Sequence, residues 1–164
     1  MTIFEKLSRL TTFLFDIDGV FTASGMLATE NGELLRTVNT RDGLAIKKAL
    51  NAGFNVGIIT KGNSQGVYSR FENLGVKHIY MNMPDKVVTY QDLKAKLKFE
   101  DHEVLYMGDD ISDIGVLELV GVPACPYDAC HEVIEASEYI SSLDGGYGAV
   151  RQVLEKVLRL QGKW

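Results

Sequence analysis

Short apolar, β-rich runs alternate with helical patterns along the whole chain, and this alternation limits the fold more than any other feature. The segments are TTFLFDI, DGLAIKKALNAG, NVGIIT, SQGVYSRFENLG, HIYM, DKVVTYQDLKAKL, EVLYMG, SDIGVLELVG, VPAC, HEVIEAS, EYIS and YGAVRQVLEKVLRL. Strands and helices in strict alternation specify an α/β architecture with a parallel sheet, because each parallel strand needs a crossover to return the chain to the same end. Runs such as FLF and VGII are apolar at every position, as central strands covered by helices on both faces must be. Several helical patterns stop at glycine, at Gly53, Gly75 and Gly121, which predicts left-handed residues at those helix ends.

With 164 residues, 46% of them apolar and 24% charged, the chain fits a single domain spanning 1–164 with a sizeable core. A net charge of −5 with mixed signs excludes a nucleic-acid groove and a basic membrane surface, both of which need clustered Lys and Arg. No uncharged stretch approaches the roughly 18 residues that span a bilayer, and MTIFEKLSRL lacks a secretory apolar region, so a cytoplasmic location is expected. Cys125 and Cys130 lack a matching Cys or His pair and read as reduced thiols. His78, His102 and His131 are scattered, which argues against a histidine-based metal site.

One segment breaks the alternation. From about residue 21 to 40 the chain reads FTASGMLATENGELLRTVNT, with Asn31-Gly32 between two partly alternating arms, the pattern of a β-hairpin. An isolated hairpin is marginal in water, so this one is expected to project beyond the first strand and pack on something else. A C-terminal helix is expected over about residues 147–160.

The ends of the parallel strands carry the chemistry. In open α/β sheets ligands bind outside the carboxyl ends of the strands. FLFDIDG delivers Asp16 and Asp18, NVGIIT delivers Thr60, and EVLYMGDDISD delivers Asp109, Asp110 and Asp113, while Lys86 opens the helical run before that last strand. Carboxylates gathered together repel one another unless a cation sits among them, and a hard, oxygen-loving ion such as Mg²⁺ suits them. A lysine and a threonine hydroxyl at the same rim suit the oxygens of a phosphoryl group. A calcium-loop reading fails, since counting from Asp16 puts Phe21 where that loop needs Gly and Leu27 where it needs Glu. Taken singly, GDDISD reads as a helix cap, Thr60 as a strand end and Lys86 as a surface charge; their order and spacing together carry the inference.

DIDGVFT, Thr60 in GIIT, Lys86 in PDK and GDDISD resemble the four ordered motifs of the haloacid dehalogenase superfamily of phosphohydrolases, over most of the chain. The resemblance implies a Rossmann-like three-layer parallel sheet. It also implies that Asp16 is a nucleophile forming an aspartyl-phosphate, and that Asp18 protonates the leaving oxygen and then activates water. Thr60 and Lys86 would bind the phosphoryl group. Asp16, Asp109 and the backbone carbonyl of Asp18 would hold Mg²⁺, with Asp110 and Asp113 as supporting acids. The gaps between the motifs leave no room for the cap domain that many members carry.

The hairpin, RTVNTRDG and DGGYGAVRQVLEKVL are similar to the capless, tetrameric 3-deoxy-D-manno-octulosonate 8-phosphate phosphatases of lipopolysaccharide synthesis. In that family the hairpins build a homotetramer and the C-terminal segment can lie over a neighbour's site. Arg36, Asn39, Arg41 and Gly145-Gly146 are the implied substrate region. Many members read T-G-R or T-G-G-R at the threonine motif, where this chain reads Thr60-Lys61-Gly62-Asn63, so the charge facing a sugar carboxylate is expected from Lys61 or Arg70. T-D-G after the first motif is likewise replaced by Thr22-Ala23-Ser24-Gly25. Two rivals are a related phosphatase for a nine-carbon sugar acid 9-phosphate and, more distantly, a phospho-signalling receiver domain. A receiver needs an acceptor aspartate after the third strand, where HIYM is followed by Asn82.

Overall fold

The computed structural model describes residues 1–164. The strands are β1 (Thr12–Phe15), β2 (Leu27–Ala28), β3 (Leu34–Leu35), β4 (Asn55–Ile59), β5 (His78–Tyr80), β6 (Val104–Met107), β7 (Val122–Cys125) and β8 (Tyr139–Ile140). The helices are α1 (Ile3–Leu7), α2 (Thr40–Asn51), α3 (Gln65–Leu74), α4 (Lys86–Leu97), α5 (Ile114–Leu117), α6 (His131–Ala136) and α7 (Ala149–Leu160). Six strands pair in the order β5–β4–β1–β6–β7–β8, all parallel, with Phe13 of β1 opposite Val56 on one side and Leu105 on the other. The chain runs from β1 outward through β4 to β5, returns along α4, and runs outward again through β6, β7 and β8 on the other side. The crevice at the C-terminal end of β1 is therefore the point where the winding reverses, the place where such sheets bind ligands.

Alternate residues of each central strand feed different cores. Phe13, Phe15, Val56, Ile58, Leu105 and Met107 join Ile46, Phe71 and Val153 in a core beneath α1, α2, α3 and α7. Leu14, Ile59, Val104 and Tyr106 face Tyr90, Leu93, Val116 and Val133 beneath α4, α5 and α6. Both faces are thus covered by helices, which explains the uninterrupted apolar strands.

The loop leaving β1 is anchored by Phe21, whose ring meets Phe15 edge-on at 5.2 Å and Phe71 at 4.6 Å. Its start is a tight turn, with the N–H groups of Val20 and Phe21 donating to the Ile17 carbonyl at 3.1 and 2.9 Å. Within residues 21–40 the ordered strands are only β2 and β3, paired antiparallel with Leu27 opposite Leu35 and Ala28 opposite Leu34. The turn is built by a Gly32 N–H bond to the Thr29 carbonyl and a Thr29 N–H bond to the Glu33 carbonyl, both 2.9 Å, with Gly32 at φ +83°. Only the glycine of Asn31-Gly32 is left-handed, so the connection is a longer bulged turn rather than a two-residue one.

Gly75 ends α3 at φ +97°, and Gly53 follows α2 at φ +88°. Gly121 departs from expectation: its φ is not positive, and a Cβ there would lie 2.6 Å from the His102 backbone, so this glycine serves close approach instead.

α7 packs on α2 through a polar contact at its first turn. Gly148, preceding α7, has no side chain to cap the helix, and the Arg151 N–H instead donates at 2.7 Å to the Asp42 carboxylate in the first turn of α2. Asp42 is buried and its other oxygen has no partner, so burial pushes its pKa up to about 6 against the opposing pull of the Arg151 N–H. A carboxyl with a raised folded-state pKa stabilises the fold when protonated. This contribution is complete below the unfolded-state value and is lost as pH rises through about 6. In urea-unfolding measurements at pH 5 and 7.5, the wild type should lose about 1 kcal/mol more than Asp42→Asn over that interval.

Candidate active site

Four chain segments meet in the crevice at the end of β1. A polar cavity of about 280 Å³ is lined by Asp16, Asp18, Ser24, Thr60, Lys61, Gly62, Lys86, Asp109, Asp110 and Ser112, with no hydrophobic residue. Asp16 leaves β1 directly, Thr60 leaves β4, and Asp109 and Asp110 follow β6. Lys86 is the first residue of α4, held there by Asp85, whose carboxylate accepts from the Val87 and Val88 N–H groups at 2.9 and 3.2 Å.

A buried cation organises the acids. Lys86 Nζ lies 2.8 Å from Asp16 Oδ2 and 2.7 Å from Asp113 Oδ1, with only 1% of its side chain exposed. Burial works against the ammonium, but the two carboxylates outweigh it and hold the Lys86 pKa above its usual value. Asp113 is saturated with donors: Lys86, the Tyr106 hydroxyl at 2.5 Å, and the N–H groups of Asp109 and Asp110 at 3.0 and 3.2 Å. It anchors the acidic loop and has no free lone pair to offer a ligand. Tyr106 is a member of the site that the sequence conceals, because a tyrosine inside VLYM reads as an ordinary core residue.

Asp16 and Asp109 are held differently. Burial first, then the Asp113 charge, raises Asp16 to about 6 despite Lys86. Burial and the charges of Asp16, Asp113 and Asp110 push Asp109 up to about 8. Oxygen atoms of Asp16, Asp109 and Asp113 come within 4.8 Å of one another, and the buried Oδ1 of Asp109 has no hydrogen-bond partner. An orphaned buried carboxylate oxygen among like charges is the environment a hard divalent cation relieves, so the donor set fits Mg²⁺. Gly19 makes the fit possible: at φ +86°, a Cβ in its place would stand 1.8 Å from Asp109 Oδ2.

Asp18 lines the same cavity but is held by a different partner. Its carboxylate pairs with Arg36, Nε to Oδ1 at 2.6 Å and Nη2 to Oδ2 at 3.2 Å. Thr60 Oγ1 accepts from the Gly62 N–H at 3.1 Å, which leaves its own proton for the cavity. Asn82, left-handed at φ +56°, ties the end of β5 to this turn by donating its N–H to the Gly62 carbonyl at 3.0 Å.

The substrate residues selected from sequence are spread over several surfaces around the cavity, with Asn39 Nδ2 donating to the Gly146 carbonyl at 3.3 Å and Arg36 and Arg70 lining one groove. Lys61 lines the catalytic cavity, but Arg36 is engaged with Asp18, and Arg70 lines a separate groove with Leu34, Leu35 and Val67. Asn39 caps α2, accepting from the Arg41 N–H at 2.8 Å, and shares with Arg41 a larger cavity of about 610 Å³ against Tyr147 and Arg151. Gly145 and Gly146 press on the loop after β1: a Cβ on Gly145 would lie 1.8 Å from the Gly19 carbonyl oxygen, and one on Gly146 2.5 Å from the Ala23 nitrogen. Their place is backbone packing behind the catalytic loop, where no side chain fits.

A central strand ending in Asp-x-Asp, with Thr60, Lys86 and the Asp109 loop around it and no inserted cap, defines a capless phosphohydrolase of the haloacid dehalogenase type. No family model matches the chain. Among curated proteins it is 35% identical over 161 residues to the 3-deoxy-D-manno-octulosonate 8-phosphate phosphatase of Escherichia coli K12, covering 98% of this chain and 86% of that one. The crystal structure of the Yersinia pestis enzyme of the same name superimposes with a TM-score of 0.95 at 31% identity, covering 98% of this chain and 87% of that one. The Moraxella catarrhalis enzyme, solved with a magnesium ion, a phosphate ion and a KDO molecule, gives 0.94 at 29%, covering 98% and 92%. The chain belongs to the 3-deoxy-D-manno-octulosonate 8-phosphate phosphatase family.

A ligand that binds only the folded state stabilises it by mass action, by about 2.7 kcal/mol at one hundred times its Kd. Saturating Mg²⁺ should therefore raise the melting temperature by several degrees and chelation should reverse it. In Asp109→Asn the increment should disappear.

Proposed function

We propose that this protein hydrolyses 3-deoxy-D-manno-octulosonate 8-phosphate to the free sugar acid and inorganic phosphate, as the names of its relatives imply. The single observation that carries this reading is the convergence of Asp16, Asp18, Thr60, Lys86 and Asp109 on one wholly polar cavity in a chain with such relatives. Asp16, fixed by Lys86 and by the Ile17 N–H at 2.7 Å, attacks phosphorus. The ester bond breaks, and Asp18 gives its proton to the departing alkoxide. The aspartyl-phosphate is then opened by water, whose proton Asp18 takes back, and phosphate leaves with Asp16 regenerated. Lys86 and the Thr60 hydroxyl meet charge on the phosphoryl oxygens. When bound by Asp16, Asp109 and the Asp18 carbonyl, Mg²⁺ supplies further neutralisation of that charge.

Lys61, which lines the cavity and has no acidic partner, is our choice for the substrate's carboxylate. We read the chain as one cytoplasmic phosphohydrolase domain whose two cysteines, free in the structure, stay reduced. No helix is long and apolar enough to cross a membrane. Leu27, Leu34 and Leu35 expose 65%, 51% and 48% of their surface on the hairpin, and this supports a homotetramer assembled through it.

Phosphate release with Mg²⁺ should favour the eight-carbon substrate over nine-carbon sugar acid 9-phosphates and hexose phosphates by at least tenfold in kcat/KM. Equal turnover of a nine-carbon substrate would reassign the specificity and keep the chemistry. Asp16→Asn should remove essentially all turnover while retaining the wild-type circular dichroism. Leu34→Pro should give smaller particles by light scattering, and an unchanged assembly would refute the hairpin interface.

A further inference from the structure

Asp16 and Asp18 leave the same strand but are held by different means. Asp16 is fixed by Lys86 and a backbone N–H, and Asp113 by four donors. The Asp18 carboxylate has one partner, the guanidinium of Arg36, eighteen residues away at the foot of the hairpin. Each nitrogen of that guanidinium is engaged: Nε and Nη2 form a fork on the two Asp18 oxygens, and Nη1 donates to the Leu34 carbonyl at 3.1 Å. Only 8% of the Arg36 side chain is exposed, against 28% of Asp18.

An exposed ion pair fixes little, since two long side chains hold one geometry at the expense of their rotamers. A buried guanidinium with both ends of its fork engaged is different, because its planar donors dictate where the carboxylate plane lies. Two of the roughly four lone-pair positions of Asp18 are then occupied. The others remain for the cavity that Asp18 lines. Gly62 keeps the arrangement open, since a Cβ there would stand 3.0 Å from Asp18 Oδ2 and 3.5 Å from Arg36 Nη2.

We propose that Arg36 is a positioning residue for Asp18, aiming the acid–base carboxylate at the oxygen of the leaving group. The inference rests on the assignment of Asp18 as the acid–base group. It gives the hairpin a role in the chemistry: the segment that exposes Leu27 and Leu34 also ends in the only side chain that orients the proton donor.

The test is leaving-group dependence. An alkoxide leaving from a sugar phosphate needs a proton, whereas p-nitrophenolate leaves without one, so misaiming Asp18 should penalise the first substrate selectively. In Arg36→Gln the ratio of kcat/KM for the sugar acid phosphate to that for p-nitrophenyl phosphate should fall about 10- to 100-fold, part of the roughly 10²- to 10⁴-fold that acid–base catalysis supplies. Arg36→Lys, which keeps the charge but not the fork, should fall between Arg36→Gln and the wild type. In an Asp18→Asn background, Arg36→Gln should lower the ratio no further, because the two residues act as one unit.

An equal loss on both substrates would overturn the proposal in favour of structural support. A weaker inhibition constant for the free sugar acid, with the ratio unchanged, would overturn it in favour of direct contact with substrate. Full additivity in the Asp18→Asn background would overturn it as well. Wild-type turnover of the sugar acid phosphate tests the hydrolase reading separately, so an active wild type with an unchanged ratio in Arg36→Gln would remove only the positioning role.

Discussion

The ammonium of Lys86, buried between Asp16 and Asp113, is the interaction on which the architecture of the site rests. It joins the end of β1, the start of α4 and the loop after β6, three segments with no local reason to meet. A cation at a helix N-terminus opposes the helix dipole, and a buried one opposes its own desolvation. It is tolerated because two carboxylates face it and because Asp113 is itself fixed by Tyr106 and two backbone N–H groups. Removing one member of such a network leaves an uncompensated buried charge, at a cost of about 3–5 kcal/mol. The same packing gathers acids that repel one another, so the site suits a positive charge.

The two aspartates of Asp-Ile-Asp show how one strand end supplies two environments. Successive side chains leave opposite sides of an extended backbone, so residues two apart begin on the same side. The turn that starts at Ile17 breaks that relation, sending Asp16 into the buried cation cluster and Asp18 toward Arg36 and the open side of the cavity. In the mechanism proposed above, the nucleophile needs a fixed position against phosphorus, and the proton carrier needs access to both the leaving oxygen and water. The backbone separates these requirements within three residues.

Much of this was legible in the sequence because it is encoded locally. Apolar runs punctuated by Asp16, Thr60 and Asp109 announce strand ends, and parallel strands bring such ends together whatever their separation in the chain. Lys86 was legible from its place at the start of a helical run. What stayed hidden depends on tertiary approach. Tyr106 looks like any strand residue until the Asp113 carboxylate folds back beneath it, and Arg36 gives no sign that its partner lies in the first motif. Gly121 looks like a helix stop, yet its cause is the backbone of His102. Arg70, Asn39 and Arg41 carry suitable chemistry, but helix phase and capping direct them to other surfaces.

Gly145 and Gly146 press directly on the backbone of residues 19–23, so the loop that carries Asp18 is completed by a segment made more than a hundred residues later. Synthesis runs from the N-terminus, and the central strand with Asp16 emerges long before the glycines that close the turn behind it. A ribosome-bound chain therefore holds its acids without the wall that sets their geometry. The geometry of that turn is therefore complete only once the last turn and α7 are in place.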